Sequence, residues 1–490
     1  MLPAPGRCRI SALVFSSVEF IFLFLPLALA TYFAAPVCAR NFVLLVLSLL
    51  FYLKGESRHI WLLLALIAVN YLAGLALDAA RDPRARRAIV SGAIAVDLSA
   101  LGWFKYAGFV GATLSPIFHA AIWQGIVLPL GISFYVFHNI SYVVDVFRKI
   151  VPARRNPIDF ALYISFFPQV IAGPIIRYHD ITEAIDHRRV RLADFSSGLE
   201  RFLVGLAKKE LIANPLGAIA DRAFAVPAAT LTTGDAWLGI ACYTLQIYFD
   251  FSGYSDMAIG LARMFGFEFL ENFNYPYISR SMQEFWRRWH ISLSNWFLEY
   301  LYIPLGGSRH GSARTAMNLA IVFLLCGLWH GAAWTFIAWG ALHGALLGIE
   351  RMGFGKVLAR LPVPLTRLYA LLMIVLTWVM FRAESLGGAL RYWQAMFDPF
   401  RAGAFAQVPA SDVTYLLIAL GAIGATGAFT WLARDWPARA HQERGRVRPM
   451  VVSENPALVL TRFVALLALT VLSFMQMAAN AYNPFIYFRF

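Results

Sequence analysis

Charge is scarce in this 490-residue chain. Lys, Arg, Asp and Glu make up 14% of it against 59% hydrophobic residues, and the mean hydropathy is +0.61. A soluble globular domain carries roughly a quarter charged residues, so that class is excluded and an integral membrane protein is indicated. Cysteine is also sparse. Cys8, Cys38, Cys242 and Cys326 are scattered without CxxC spacing or a set of histidine ligands, which argues against a zinc site or a disulfide framework, and no metal is expected. The chain lacks a GxSxG nucleophile elbow, so an internal serine carrier of that kind is unsupported. It lacks internal repeats, low-complexity segments and any Pro/Gly-rich linker long enough to detach a soluble domain. One membrane domain over residues 1–490 is expected, with N-terminal helices in 14–155, a catalytic core in 156–350 and C-terminal helices in 351–490.

The charge that is present is basic, with a net +14 and a pI near 9.8. Such a balance can signal nucleic acid. Here the basic residues cluster in short loops between apolar spans, RDPRARR at 81–87, RKIVPARR at 148–155, RMGFGKVLAR at 351–360 and RDWPARAHQERGRVR at 434–448. The positive-inside rule explains that pattern and places all four loops in the cytoplasm, so the partner is the lipid bilayer and no nucleic acid is expected. Windows of about 20 residues find apolar segments near 14–35, 41–54, 59–78, 88–106, 125–147, 197–218, 236–262, 316–349, 366–383, 413–433 and 457–479. The expected fold is therefore all-α, with about 11 transmembrane or re-entrant helices.

Counting back from loop 81–87 puts the N-terminus outside, where Arg7 and Arg9 are on the wrong side. A start at Val14, read from a GUG codon, removes that conflict; N-terminal sequencing tests it, and a peptide containing Arg9 rules it out. FIFLFLPLALA imitates a signal peptide with Ala28 and Ala30 in cleavage spacing, but a retained first helix kinked at Pro26 is the expected reading.

Three stretches break the membrane pattern. Residues 316–349 are too long for one crossing and hold His330 in GLWHGAAWTF, so a hairpin or broken helix bending near Gly327 to Gly331 is expected. SFFPQVIAGPIIRY at 165–178 is apolar but punctuated by Pro168, Gly173 and Pro174, which favours a re-entrant segment over a straight helix. QIYFDFSGYSD at 246–256 sets Asp250 and Asp256 in an otherwise apolar helix, where carboxylates are expected to be structural pairs.

Residues 271–307, ENFNYPYISRSMQEFWRRWHISLSNWFLEYLYIPLGG, mix tryptophan, tyrosine and arginine around His290. An amphipathic helix on the cytoplasmic leaflet accounts for this composition. So does a cationic, aromatic mouth for a diphosphate-bearing substrate, with Arg280, Arg287 and Arg288 as the candidates for its phosphates. Both readings stand on composition alone. For His290 a helix–helix hydrogen bond and a functional role are equally natural. For His330 function is favoured, because an ionisable group at membrane depth costs roughly 2.5–3.5 kcal/mol and the flanking glycines thin the helix. His343 reads as a packed, hydrogen-bonded residue, and His138, His179 and His310 have weaker claims.

SFFPQVIAGPIIRYHD, QIYFDFSGYSDMAIGLARMFGFEFLENFNYPY, SMQEFWRRWHISLSNWFLEYLYIPLGG and LLCGLWHGAAWTFIAWGALHG together resemble the membrane-bound O-acyltransferase superfamily. Within it they are similar to the bacterial branch of alginate and other polysaccharide O-acetyltransferases, with the teichoic acid D-alanyl transferases as a related group. The likeness runs from VFSSVEFIFLFLPL at residue 14 to the closing NPFIYFRF, and so also supports the Val14 start. One departure is FHNIS at 137–141, where the family pattern has a glutamine near His138; that position is left out of the site.

The resemblance implies a funnel of helices around an intramembrane histidine in the inner membrane. It places the family's WHG histidine on His330 and its WRRWH histidine on His290. It further implies transfer of an acetyl group from a cytoplasmic thioester, acetyl-CoA, toward an exopolysaccharide such as alginate, with a periplasmic acetyltransferase or polysaccharide-export protein as partner and no permanently bound cofactor. His330 would act as a general base and His290 as a positioning or electrostatic residue. Direct attack by an acceptor hydroxyl, an acyl-histidine, and relay to a partner's serine all fit. D-alanyl or peptidoglycan O-acyl transfer would use the same apparatus. A transporter is the rival class. It would need corresponding broken helices in two related halves, and the break in 316–349 has no counterpart in the first half.

Overall fold

The structure is a computed structural model that describes residues 14–118, 123, 125–398, 400, 408–429 and 456–479. Arg7, Arg9, Cys8 and the basic loop 434–448 lie outside the described residues. Among the described residues all regular structure is helical, as expected, and there is no strand. Six helices among them are long and apolar enough to cross a membrane: Val37–Gly55, Ile60–Ala79, Pro83–Ser115, Gly311–His330, Val363–Arg382 and Val459–Ala479. The other windows fall on shorter helices such as Ile132–Phe147 and Asp412–Gly424, or on helices whose buried faces are polar. A 20-residue average cannot separate a helix from an apolar turn beside it, which is why the window at 125–147 begins ahead of its helix.

The chain forms two compact units, Met1–Arg189 and Val190–Phe490. The first contains α1 (Leu25–Ala34), α2 (Arg40–Gly55), α3 (Ile60–Ala79), α4 (Pro83–Leu101), α5 (Ala107–Phe118), α6 (Ile132–Phe147), α7 (Pro157–Ser165) and α8 (Tyr178–His187). Directly ahead of α1, residues Phe20–Phe24 form a wide π turn. Pro26 follows it at the start of α1. Proline has no N–H and crowds the preceding turn, so a widened turn accommodates it without ending the helix.

The basic stretch 81–87 is fastened to the helix that runs into the basic loop 148–155. Arg86 donates to Val146 O at 3.2 Å and to Phe147 O at 2.9 Å, which joins the start of α4 to the end of α6. Between α7 and α8 the chain leaves helical geometry from Phe166 and stays buried through Ile176. A side chain on Gly173 would come within 2.5 Å of Pro168 O, so this turn closes only around glycine. Two bonds anchor it, Phe167 N–H donating to Ser48 Oγ of α2 at 3.1 Å and Gln169 Nε2 donating to Tyr163 O. Irregular backbone in an apolar setting needs such internal partners.

The second unit contains α9 (Leu192–Ala207), α10 (Asn214–Ala225), α11 (Thr233–Met264), α12 (Met282–Arg288), α13 (Ile291–Phe297), α14 (Gly311–His330), α15 (Trp334–Ile349), α16 (Gly355–Leu358), α17 (Val363–Arg382), α18 (Leu386–Phe397), α19 (Asp412–Gly424) and α20 (Pro456–Ala479). Its spine is α11, 32 residues long and buried over most of its length. Helix α9 lies so close to it that a Cβ on Gly205 would be 2.5 Å from Gly253 O, and one on Gly260 would be 2.5 Å from Gly198 O. Small residues allow this approach, and backbone packing replaces the hydrophobic drive that lipid cannot supply.

The carboxylates of α11 are paired, as the sequence suggested. Lys209 Nζ lies 2.7 Å from Asp250 Oδ1, and Asp256 binds Arg201 at 3.0 Å and Lys208 at 2.7 Å. Arg201 also forks onto Glu271, which ties the helix pair to the segment leading into α12.

Candidate active site

The break expected in 316–349 falls immediately after the histidine. Helix α14 ends at His330, Gly331 is extended at φ −168° and ψ 152°, and α15 begins at Trp334. Any residue can adopt that backbone; proximity is what demands glycine here, because a Cβ on Gly331 would overlap the Phe336 ring. One turn earlier, Gly327 closes on Phe336 O and on Gly340. The two helices therefore fold back on each other at the point where the imidazole ends the first.

His330 is 5% exposed and set in aromatic rings. Its centroid lies 5.2 Å from Trp339, 5.3 Å from Phe381 and 5.0 Å from Trp329. The His290 ring is 6.4 Å away. The WRRWH and WHG histidines, forty positions apart in sequence, thus share one buried site within the second unit.

His290 reaches it by an unusual backbone. It is fully buried and sits at φ 45°, ψ 54°, the left-handed region, between α12 and α13. Two backbone hydrogen bonds hold that turn, from Ile291 N–H to Asn272 O and from Asn274 N–H to Arg288 O, both 2.9 Å. The side chain of Asn272 completes the hold. Its Oδ1 lies 3.1 Å from His290 Nδ1 and accepts from Ser292 N–H at 3.2 Å and Ser292 Oγ at 2.9 Å, while its Nδ2 donates to Ser255 Oγ at 3.0 Å. Phe251 packs 4.6 Å from the imidazole.

His343 is hydrogen-bonded as its packing role required. Trp286 Nε1–H donates to its Nδ1 at 3.1 Å, and Trp339, 4.6 Å away, lies between it and the site. His179 bonds Asp145 at 2.8 Å in the first unit. His310 precedes α14 at its N-terminal end. His138 is fully buried in α6, 5.6 Å from the Tyr163 ring.

The three arginines separate. Arg288 is engaged, with Nε donating to Glu284 Oε1 at 2.9 Å and Nη1 to Asn274 O at 3.0 Å, so it serves the turn that carries His290. Arg280 and Arg287 are exposed, and no acid pairs with either among the described residues. Sequence reasoning missed Asn272. An asparagine two positions before Asn274 in a Pro-containing loop carries a turn signal, and nothing in its spacing links it to His290.

Residues 125–387 match the family model described as MBOAT, membrane-bound O-acyltransferase family. The chain belongs to the membrane-bound O-acyltransferase family. It is accordingly a multi-pass membrane enzyme that transfers acyl groups to oxygen. Along 98% of its length and the whole of the relative, it is 44% identical to the "Probable alginate O-acetylase AlgI" of Azotobacter vinelandii. It is also 35% identical to the "Peptidoglycan O-acetyltransferase" of Helicobacter pylori over 79% of this chain and 80% of that one. With the "Teichoic acid D-alanyltransferase" of Bacillus subtilis it shares 28% identity, over 53% of this chain and 71% of that one. The family match spans His290 and His330, the turn at 166–177 and the whole of α11.

Proposed function

We propose that this protein takes an acetyl group from acetyl-CoA in the cytoplasm and passes it across the inner membrane for O-acetylation of an exopolysaccharide such as alginate. The near-full-length likeness to the alginate O-acetylase supports the acetyl group and the acceptor class. A periplasmic acetyltransferase would receive the group where the polymer lies beyond the membrane. The observation that carries the chemistry is the pair of buried imidazoles with ring centroids 6.4 Å apart.

His330 acts as general base. It takes the proton of the attacking hydroxyl as the new C–O bond forms at the thioester carbonyl, and the C–S bond breaks with the electrons leaving on sulfur. The proton then passes from the imidazole to the thiolate, restoring the enzyme and releasing free CoA. General-base removal of a hydroxyl proton contributes typically 10² to 10⁴ in rate. Arg280 and Arg287 are the candidate contacts for the donor's phosphates, through charge-assisted hydrogen bonds; Arg288 contributes by holding the His290 turn.

The test is thioester turnover by the purified protein in detergent with acetyl-labelled CoA, comparing wild type with His330→Ala and His290→Ala. Loss of roughly 10²-fold or more with His330→Ala, in a protein that remains folded, is expected. Undiminished turnover in that folded variant rules His330 out as the base. Wild type should be run both alone and with a membrane extract, since transfer to polymer would need the partner.

A further inference from the structure

We infer that Asn272 is a positioning residue that holds His290 in its Nδ1–H tautomer and so keeps the lone pair of Nε2 available to the reaction. The inference rests on the proposed placement of His290 in the transfer site.

The argument starts from an atom that can only donate. Ser292 N–H points at one terminal atom of the Asn272 amide, 3.2 Å away, so that atom is the oxygen. The opposite terminal atom lies 3.0 Å from Ser255 Oγ, where the amide NH2 donates. The amide cannot be turned over without setting two donors against each other. The same oxygen faces His290 Nδ1 at 3.1 Å, and an oxygen acceptor there requires a proton on Nδ1. A neutral imidazole carries one N–H, so Nε2 holds the lone pair. His290 Nε2 is buried and has no hydrogen-bond partner among the described residues.

The direction of proton flow follows. Held in this way, His290 can accept a hydrogen bond at Nε2 and cannot donate one there in its neutral state. It is therefore suited to accept a hydrogen bond from the imidazolium that forms on His330, and is unsuited to stabilise the thioester oxygen as a neutral donor. This goes beyond the positioning or electrostatic part that the sequence suggested. The groups facing the ring are Asn272 from the 265–281 segment, Phe251 from α11, and Trp329 and His330 from α14; His330 is the titratable one among them.

Two variants and one spectroscopic readout test this on the full chain in lipid nanodiscs. Nitrogen NMR of histidine-labelled protein, with the His290 signals found by their loss in His290→Ala, should show Nδ1 protonated and Nε2 bare in wild type. Asn272→Asp keeps the acceptor and adds negative charge, so the acidic limb of the pH profile of kcat/KM should move to higher pH. Asn272→Ala should lower kcat by roughly 10- to 100-fold, by analogy with the loss on removing the partner that orients a metal-bound histidine, with KM for the thioester little changed. A wild-type His290 protonated on Nε2 overturns the inference. So does an Asn272→Asp profile that superposes on wild type while His290→Ala is inactive. If His290→Ala turns over normally, the placement of His290 in the reaction fails instead, and the NMR result still decides the tautomer.

Discussion

Glu350, at the end of α15, accepts the N–H of Met282 at the start of α12: Oε1 lies 2.7 Å from that nitrogen, and Oε2 lies 3.0 Å from Gln283 N. Tyr369 OH adds a bond to Oε1 at 3.2 Å. One carboxylate from 68 positions downstream thus satisfies two of the N–H groups that every helix leaves open at its first turn. Helix α12 carries Trp286 and leads to His290, so Glu350 holds the frame of the site. Glu350→Ala should destabilise the protein by about 1–3 kcal/mol through the buried donors left open, and turnover should fall with it. Thermal unfolding and thioester turnover check this; an unchanged melting temperature would remove Glu350 from the frame.

Gly331→Ala forces a methyl group into the Phe336 ring. Overpacking of this kind costs about 1–3 kcal/mol, and here the side chain displaced is next to His330. Activity should drop more than stability does. The double variant Gly331→Ala with Phe336→Leu makes room and should recover part of both, which a double-mutant cycle measures as a favourable coupling.

The pair Lys209–Asp250 is 1% and 3% exposed. Lys209→Met leaves a carboxylate buried without this cation and should cost about 3–5 kcal/mol, whereas Lys209→Met with Asp250→Leu should recover most of it. Chemical unfolding in detergent separates the two outcomes. A double variant as unstable as the single one would mean that packing, not charge, holds the turn after α9 to α11 here.

His179 supplies a pH dependence. Burial pushes its imidazole down, but the hydrogen bond to Asp145 and the charges of Asp180 and Asp145 outweigh burial and the opposing Arg177, leaving it above its ordinary value. A raised folded value means that the stabilisation is complete below the unfolded value of roughly 6.5 and is lost as pH rises through the folded one. Melting temperature should therefore decline over that window in wild type. In His179→Gln the decline should flatten; an identical slope would show that another group carries it.

Much of this was legible because apolar runs, glycines and prolines act locally. The break after His330 follows from WHG within an overlong segment, and the closed turn around Gly173 follows from Pro168 and Pro174. The pairing of Asp250 and Asp256 follows from the cost of isolated charge in an apolar helix. What the sequence did not disclose depends on distant chain meeting. Glu350 reads as the end of an apolar helix, and its bond to Met282 exists only once α12 and α15 are packed. Asn272 is 18 positions from His290, and Arg288 reads as a phosphate ligand until Glu284 and Asn274 are seen to hold it.

The left-handed backbone at His290 has a consequence for how this protein could be improved and why it should not be. A side chain with a Cβ is disfavoured there by about 1 kcal/mol relative to glycine, so His290→Gly would relieve the turn while deleting the imidazole. The same substitution would also empty a fully buried position and take from Asn272 Oδ1 its contact with the imidazole, 3.1 Å away. Relief of the backbone and loss of the ring therefore pull the stability of this turn in opposite directions.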